Sequence, residues 1–125
     1  MIGEYTILCV DDDKENLELL KGMLEEEGYH LMLASSGAEA LKQISVKIPD
    51  LILLDVMMPD MTGIEVLQKI LSERETRDIP VVMLTSSKEL EHVKTAVEAG
   101  AVSYIKKPFT HTAVLGIVKG FIEKA

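Results

Sequence analysis

Five short apolar runs, each followed by an amphipathic stretch, predict an α/β fold: a doubly wound, five-stranded parallel sheet with helices on both faces. Two further observations support this class. The connections are only a few residues long, and a length of 125 residues suits one domain. The first and third runs are apolar almost throughout instead of alternating, as strands covered on both faces should be.

The elements follow in order. Tyr5 to Val10 reads as a strand. Lys14 to Glu27 reads as a helix with Leu17, Leu20 and Leu24 on one face, capped by Asp13 and stopped by Gly28. Tyr29 to Ala34 is the second strand, and Ser36 caps a helix over Ala38 to Lys47 with Leu41 and Ile44 inward. Pro49 breaks that helix before a third strand, Leu51 to Leu54, that ends at Asp55. After a loop from Val56 to Thr62, a helix from Gly63 to about Arg74 turns Leu67, Ile70 and Leu71 inward. Pro80 opens the strand Val81 to Leu84; the helix Glu89 to Ala99 is expected to bury Leu90, Val93 and Val97 and to stop at Gly100. Val102 to Ile105 is the fifth strand, and Thr110 caps a last helix with Val114, Val118 and Phe121 inward. Residues 1–125 are therefore expected to form one complete domain.

Composition excludes several classes. At 47% hydrophobic and 27% charged, the chain is too apolar for intrinsic disorder. A net charge of −8, from 13 Lys+Arg against 21 Asp+Glu, argues against nucleic acid and anionic membrane as partners. The one cysteine, Cys9, excludes a disulfide framework and reads as a small buried thiol. No basic leader and no apolar stretch of membrane-spanning length is present, so a reducing, cytoplasmic location is expected.

In an open parallel sheet, ligands bind beyond the carboxyl ends of the strands. Those ends hold the unusual residues: Asp11-Asp12-Asp13 after the first strand, Asp55 after the third, Thr85-Ser86-Ser87 after the fourth, and Lys106-Lys107-Pro108 after the fifth. Two carboxylates ~4 Å apart repel by about 4 kcal/mol at an effective dielectric of ~20. A hard divalent cation compensates such crowding, and Mg²⁺ favours one or two carboxylates plus water. Asp13 reads as a helix cap; Asp11, Asp12 and Asp55 read as a cation site. A carboxylate there is also a candidate nucleophile toward a phosphoryl group, whose transfer needs positioning and positive charge. Thr85 is either a hydrogen-bond donor to that group or a turn residue, and Lys107 either supplies charge or is a solvated surface lysine. Tyr104 by itself reads as an ordinary strand aromatic.

Four segments in order, Val-Asp11-Asp12, Leu-Leu-Asp55-Val-Met-Met-Pro59-Asp-Met-Thr-Gly63, Leu-Thr85-Ser and Lys107-Pro108-Phe109, resemble the receiver domain of bacterial two-component response regulators over essentially the whole chain. The resemblance implies a flavodoxin-like strand order 2-1-3-4-5, with Asp55 as phosphoacceptor. It implies Asp12 and Asp55 as direct ligands of Mg²⁺ (or Mn²⁺), Asp11 as a ligand directly or through water, and the Met57 main-chain carbonyl as a further one. The family lysine maps onto Lys107, with Lys106 its only competitor. Thr85 is implied to move toward the bound phosphoryl group while Tyr104, three residues before the lysine, rotates inward. The resemblance further implies a protein that catalyses its own phosphorylation and dephosphorylation. Its phosphodonor would be a histidine kinase or histidine phosphotransfer protein. Its output would be a downstream protein bound at the face of the fourth helix, fifth strand and fifth helix, without an effector domain.

Met57, Met58 and Met61 make the acceptor loop either an adaptable docking surface or a flexible cover. Ser87 and Met57 are expected to flank the path of an attacking water and to tune phosphoryl lifetime. His30, His92 and His111 lie on different elements and form no ligand set. Alternative readings are a receiver excised from a larger hybrid kinase or regulator, a pseudo-receiver, and a haloacid dehalogenase-like phosphatase using Asp11-x-Asp13. The pseudo-receiver should lack a key residue and none is missing. The phosphatase reading leaves Asp55 unused and finds only Glu123 as a late acid.

Overall fold

The structure is a computed structural model that describes residues 4–86 and 90–123. Ser87, Glu89 and the Leu90 side chain lie outside the described residues, and with them the expectations placed on these three. The chain alternates β1 (Thr6–Val10), α1 (Lys14–Glu25), β2 (His30–Ala34), α2 (Gly37–Val46), β3 (Leu51–Asp55), α3 (Gly63–Ser72), β4 (Val81–Thr85), α4 (Leu90–Ala99), β5 (Ser103–Lys106) and α5 (His111–Ile122). All strand pairs are parallel, in the order β2-β1-β3-β4-β5.

The helix starts are written in short-range chemistry. The side chains of Asp13, Ser36, Thr62 and Thr110 each accept a hydrogen bond from a backbone N–H in the first turn of the helix that follows. At α3 the bond is reciprocated: the Glu65 carboxylate accepts from the Thr62 N–H at 2.9 Å, completing a capping box. α1 ends at Glu25, two residues short of the expected Glu27, and the chain reverses through Gly28 at φ 92°, a conformation that glycine adopts without a Cβ clash.

Strand alternation divides the core into two layers. Leu8, Val10, Ile52, Leu54, Val81 and Met83 face α2, α3 and α4, where they meet Ala40, Ile44, Val66, Leu67, Ile70, Val93 and Ala96. Ile7, Cys9, Leu51, Leu53, Val82, Leu84 and Ile105 face α1 and α5, where they meet Leu17, Leu20, Leu24, Val114, Val118 and Ile122. Burial pushes the Cys9 thiol up, so it stays protonated inside the sheet.

One core expectation is corrected. Val97 is exposed, and Ala96 is buried beside Val93. At 100° per residue Val97 lies on the opposite side of Val93 from Ala96, so the narrow buried stripe of α4 runs away from it. On α5, Phe121 is half-buried and Ile122 takes the inner position. β5 begins one residue later than expected, at Ser103.

Candidate phosphoryl-transfer and cation site

β1 and β3 are neighbours, yet β1 is followed in the chain by β2 on one side of the sheet and β3 leads to β4 on the other. Their carboxyl ends therefore open a crevice at the point where the winding reverses. Val10 pairs with Leu54, so the next residues along each strand, Asp11 and Asp55, come side by side. Strand parity also selects the lysine. Thr85 pairs with Lys106, whose side chain is exposed; Lys107, one residue on, turns the other way, toward the acids.

Lys107 Nζ lies 3.1 Å from Asp55 Oδ1 and 3.3 Å from Asp11 Oδ2. Asp11 is fully buried and Asp55 is 2% exposed, whereas Asp12 faces solvent. Asp11 is held by two further donors, the Asp13 N–H at 3.0 Å and the Asn16 side-chain amide at 3.1 Å. Asn16 was not singled out from the sequence. Its signal is positional: a polar residue in the first turn of α1, five residues past Asp11, points back over the strand end.

Burial, and then the Asp11 charge, push the Asp55 carboxyl from an ordinary 3.8 to about 7, against the opposing pull of Lys107. Burial alone would lower Lys107; the adjacent Asp55 and Asp11 carboxylates outweigh it and hold the ammonium above its ordinary value. One cation thus serves two buried anions, and the site carries uncompensated negative charge. Carboxylate oxygens of Asp11, Asp12 and Asp55 lie within 4.8 Å of one another, the one such group among the described residues. An all-oxygen, partly solvated donor set with excess negative charge fits a hard divalent cation.

The remaining expected residues differ in exposure and in partners. Thr85 is fully buried, and its hydroxyl donates to the Ser86 carbonyl at 2.9 Å. Tyr104 is 44% exposed on β5 and borders a shallow groove of about 480 Å³, shared with Lys106, Ala113 and Gly116 of β5 and α5. Met57 is 43% exposed and Met58 is buried. His30, His92 and His111 are all exposed and form no group with the acids. Asp13 is occupied as the cap of α1, and Glu123 hydrogen-bonds Tyr29 at the opposite end of the sheet, so the two acids that a phosphatase would need do not join the cluster.

The loop from Val56 to Thr62 is drawn tightly against β3. The Gly63 N–H donates to the Val56 carbonyl at 2.7 Å, and a Cβ on Gly63 would stand 2.1 Å from the Asp55 carbonyl oxygen. Only glycine admits that approach of α3 to β3.

Comparison with known proteins agrees with this fold. The family model described as response regulator receiver domain matches residues 7–119. The transcriptional regulatory protein CpxR of Escherichia coli K12 is 40% identical over 120 residues, which cover 95% of this chain and 50% of CpxR. The alkaline phosphatase synthesis transcriptional regulatory protein PhoP of Bacillus subtilis is 39% identical over 95% of this chain and 49% of PhoP. The chain thus spans about half the length of the curated relatives it matches. Among solved structures, a putative response regulator from Chloroflexus aurantiacus superposes with a TM-score of 0.91 at 33% identity, covering 97% of this chain and 99% of that one. A CheY-like receiver domain protein from Methanospirillum hungatei gives 0.87 at 34% identity, covering 96% and 94%.

Proposed function

The chain belongs to the response regulator receiver domain family of two-component signalling, and from that premise we propose that it accepts a phosphoryl group on Asp55 from a phosphohistidine donor. The observation that carries the proposal is the Lys107 ammonium within 3.3 Å of two buried carboxylates, one of them Asp55. In this reading an Asp55 carboxylate oxygen attacks phosphorus, the phosphorus–nitrogen bond of the donor imidazole breaks, and the electron pair leaves with the nitrogen. Lys107 moves its charge onto the phosphoryl oxygens, and the Thr85 hydroxyl exchanges the Ser86 carbonyl for one of them.

Asp12 and Asp55, with Asp11 directly or through water and the Met57 carbonyl, would hold Mg²⁺, or Mn²⁺ in its place. When bound, the ion supplies positive charge to the transferring group and relieves the crowding of the acids. The receiver catalyses the reaction on itself, and hydrolysis of the acyl phosphate resets it.

Thr85 and Tyr104 are proposed as the switch pair. The Thr85 hydroxyl is engaged by the Ser86 carbonyl and Tyr104 is exposed, as suits an unphosphorylated state. The donor would be a histidine kinase or histidine phosphotransfer protein, and the output a protein bound at the α4-β5-α5 face. A net charge of −8 supports a protein rather than a nucleic-acid partner for these residues, and the unpaired thiol of Cys9 suits the cytoplasm. CpxR and PhoP are named as transcriptional regulators and are about twice this length; the proposal concerns the receiver residues 1–125.

The test is intact mass after incubation with a small phosphodonor and Mg²⁺. Wild type should gain one phosphoryl group and Asp55→Asn none; an adduct at wild-type level in the variant overturns the assignment.

A further inference from the structure

The loop from Val56 to Thr62 is fastened at a second point that the chemistry above does not use. Asp60 Oδ1 accepts from the Gly37 N–H at 3.1 Å and Asp60 Oδ2 accepts from the Ala38 N–H at 2.9 Å. Both donors belong to the first turn of α2, whose free N–H groups have no partner within their own helix. Ser36 satisfies only the Glu39 N–H there. Asp60 thus completes the cap of a helix 22 residues earlier in the chain, with a negative charge at the positive end of the helix dipole. These two backbone hydrogen bonds hold its carboxyl below the usual carboxylate range.

The neighbour of Asp60 reinforces the clamp. A Cβ on Gly37 would stand 2.3 Å from Met61 Cγ, so Met61 lies flat on the α2 backbone. The loop is therefore held at its base by the bond from Gly63 to Val56 and at its crown by Asp60 and Met61 on α2. Met57 lies between these two anchors, three residues before Asp60, with its side chain in solvent. Its carbonyl has no independent support among the hydrogen bonds of the described residues.

We infer that Asp60 is a positioning residue for the cation site: by clamping the acceptor loop to the first turn of α2, it sets where the Met57 carbonyl points. The inference rests on the reading of Asp11, Asp12, Asp55 and Met57 as the cation site. It follows that α2 reports on that site and the site on α2, through one exposed carboxylate.

The experiment titrates Mg²⁺ calorimetrically into wild type, Asp60→Ala, Asp60→Asn and Asp12→Asn, and measures the rate of phosphodonor-driven adduct formation at low and at saturating Mg²⁺. Removal of an outer support of a metal ligand weakens affinity by about 10-fold, which is the expected change in Kd for Asp60→Ala. Asp60→Asn keeps one acceptor oxygen and should fall between it and wild type. At saturating Mg²⁺ the adduct rate of Asp60→Ala should return to near the wild-type value, a split that general loss of structure would not produce. A Kd for Asp60→Ala within twofold of wild type, while Asp12→Asn loses Mg²⁺, overturns the inference and leaves the cation site standing. An adduct rate still depressed at saturating Mg²⁺ overturns it as well. If Asp12→Asn binds Mg²⁺ as wild type does, the cation-site reading itself fails and the inference falls with it.

Discussion

β1 and β3 change character within a single residue. Through Val10 and Leu54 every side chain is apolar and buried, apart from Thr6; at Asp11 and Asp55 the same two neighbouring strands place carboxyl groups side by side with almost no solvent exposure. The strand bodies stabilise the domain in proportion to the apolar area they remove from water. The strand ends act in the opposite direction, because two buried anions share one lysine. The contrast teaches where the receiver concentrates unfavourable charge: a rigid, well-packed sheet holds at its rim a cluster that would relax if the backbone allowed it. In the proposed function, a cation or a phosphoryl group would meet acids already brought together.

Breaking the strand body should give the largest change. Leu54→Ala, at a fully buried position in the layer under α2 and α3, is expected to lose about 2–5 kcal/mol in urea unfolding, through lost burial and the cavity left behind. Breaking the strand end should move stability the other way. Asp55→Asn removes a buried like charge beside Asp11, and without metal it should raise stability at pH 8 by about 1–3 kcal/mol. Added Mg²⁺ should stabilise the wild type and not the variant, since only a species that binds the ion gains from it. A lower urea midpoint for Asp55→Asn without metal would contradict the crowding argument.

The same contrast has a pH signature. The native Asp55 carboxyl titrates near 7, above its ordinary 3.8, so over that interval the folded state holds a proton the unfolded chain has released. Its contribution to stability is therefore full below about pH 4 and is lost as pH rises through about 7. The difference in urea midpoint between wild type and Asp55→Asn should accordingly widen from pH 5 to pH 8, and a constant difference would refute the shift. The smallest effect tests the corrected face of α4. Val97→Ala should change stability by no more than about 0.5 kcal/mol, while Val93→Ala, which empties a buried position, should lose clearly more.

Much of the fold was legible because its signals are local. Asp13, Ser36 and Thr110 cap the helices they precede, since a capping bond spans only two or three residues and is encoded by those residues alone. Asp11, Asp12 and Asp55 were legible because apolar strands that end in acids put those acids at one rim whatever the details of packing. The family resemblance already selected Lys107 over Lys106, and strand parity supplies the physical reason, which depends on where β5 begins.

The misses share a cause. Val97 is apolar and fits a helical face as well as Val93 does, and only the approach of α4 to the sheet decides that Ala96 is covered in its place. Asn16 and Asp60 are ordinary polar residues in the sequence. Their work is visible only once Asn16 lies against Asp11 and Asp60 meets α2, 22 residues away.

Alternation of apolar runs, helix caps and strand-end residue types is a property of neighbours along the chain, and it determined the α/β class, the rim and the acids placed on it. Orientation across elements is not carried by neighbours. How closely Lys107 approaches each acid, which oxygen of Asp11 each donor meets, and that the loop from Val56 to Thr62 is fastened to α2 were decided by the tertiary structure. Hydrogen bonds and ion pairs act over about 3 Å, a proximity that only the packed sheet and helices impose on residues distant in sequence.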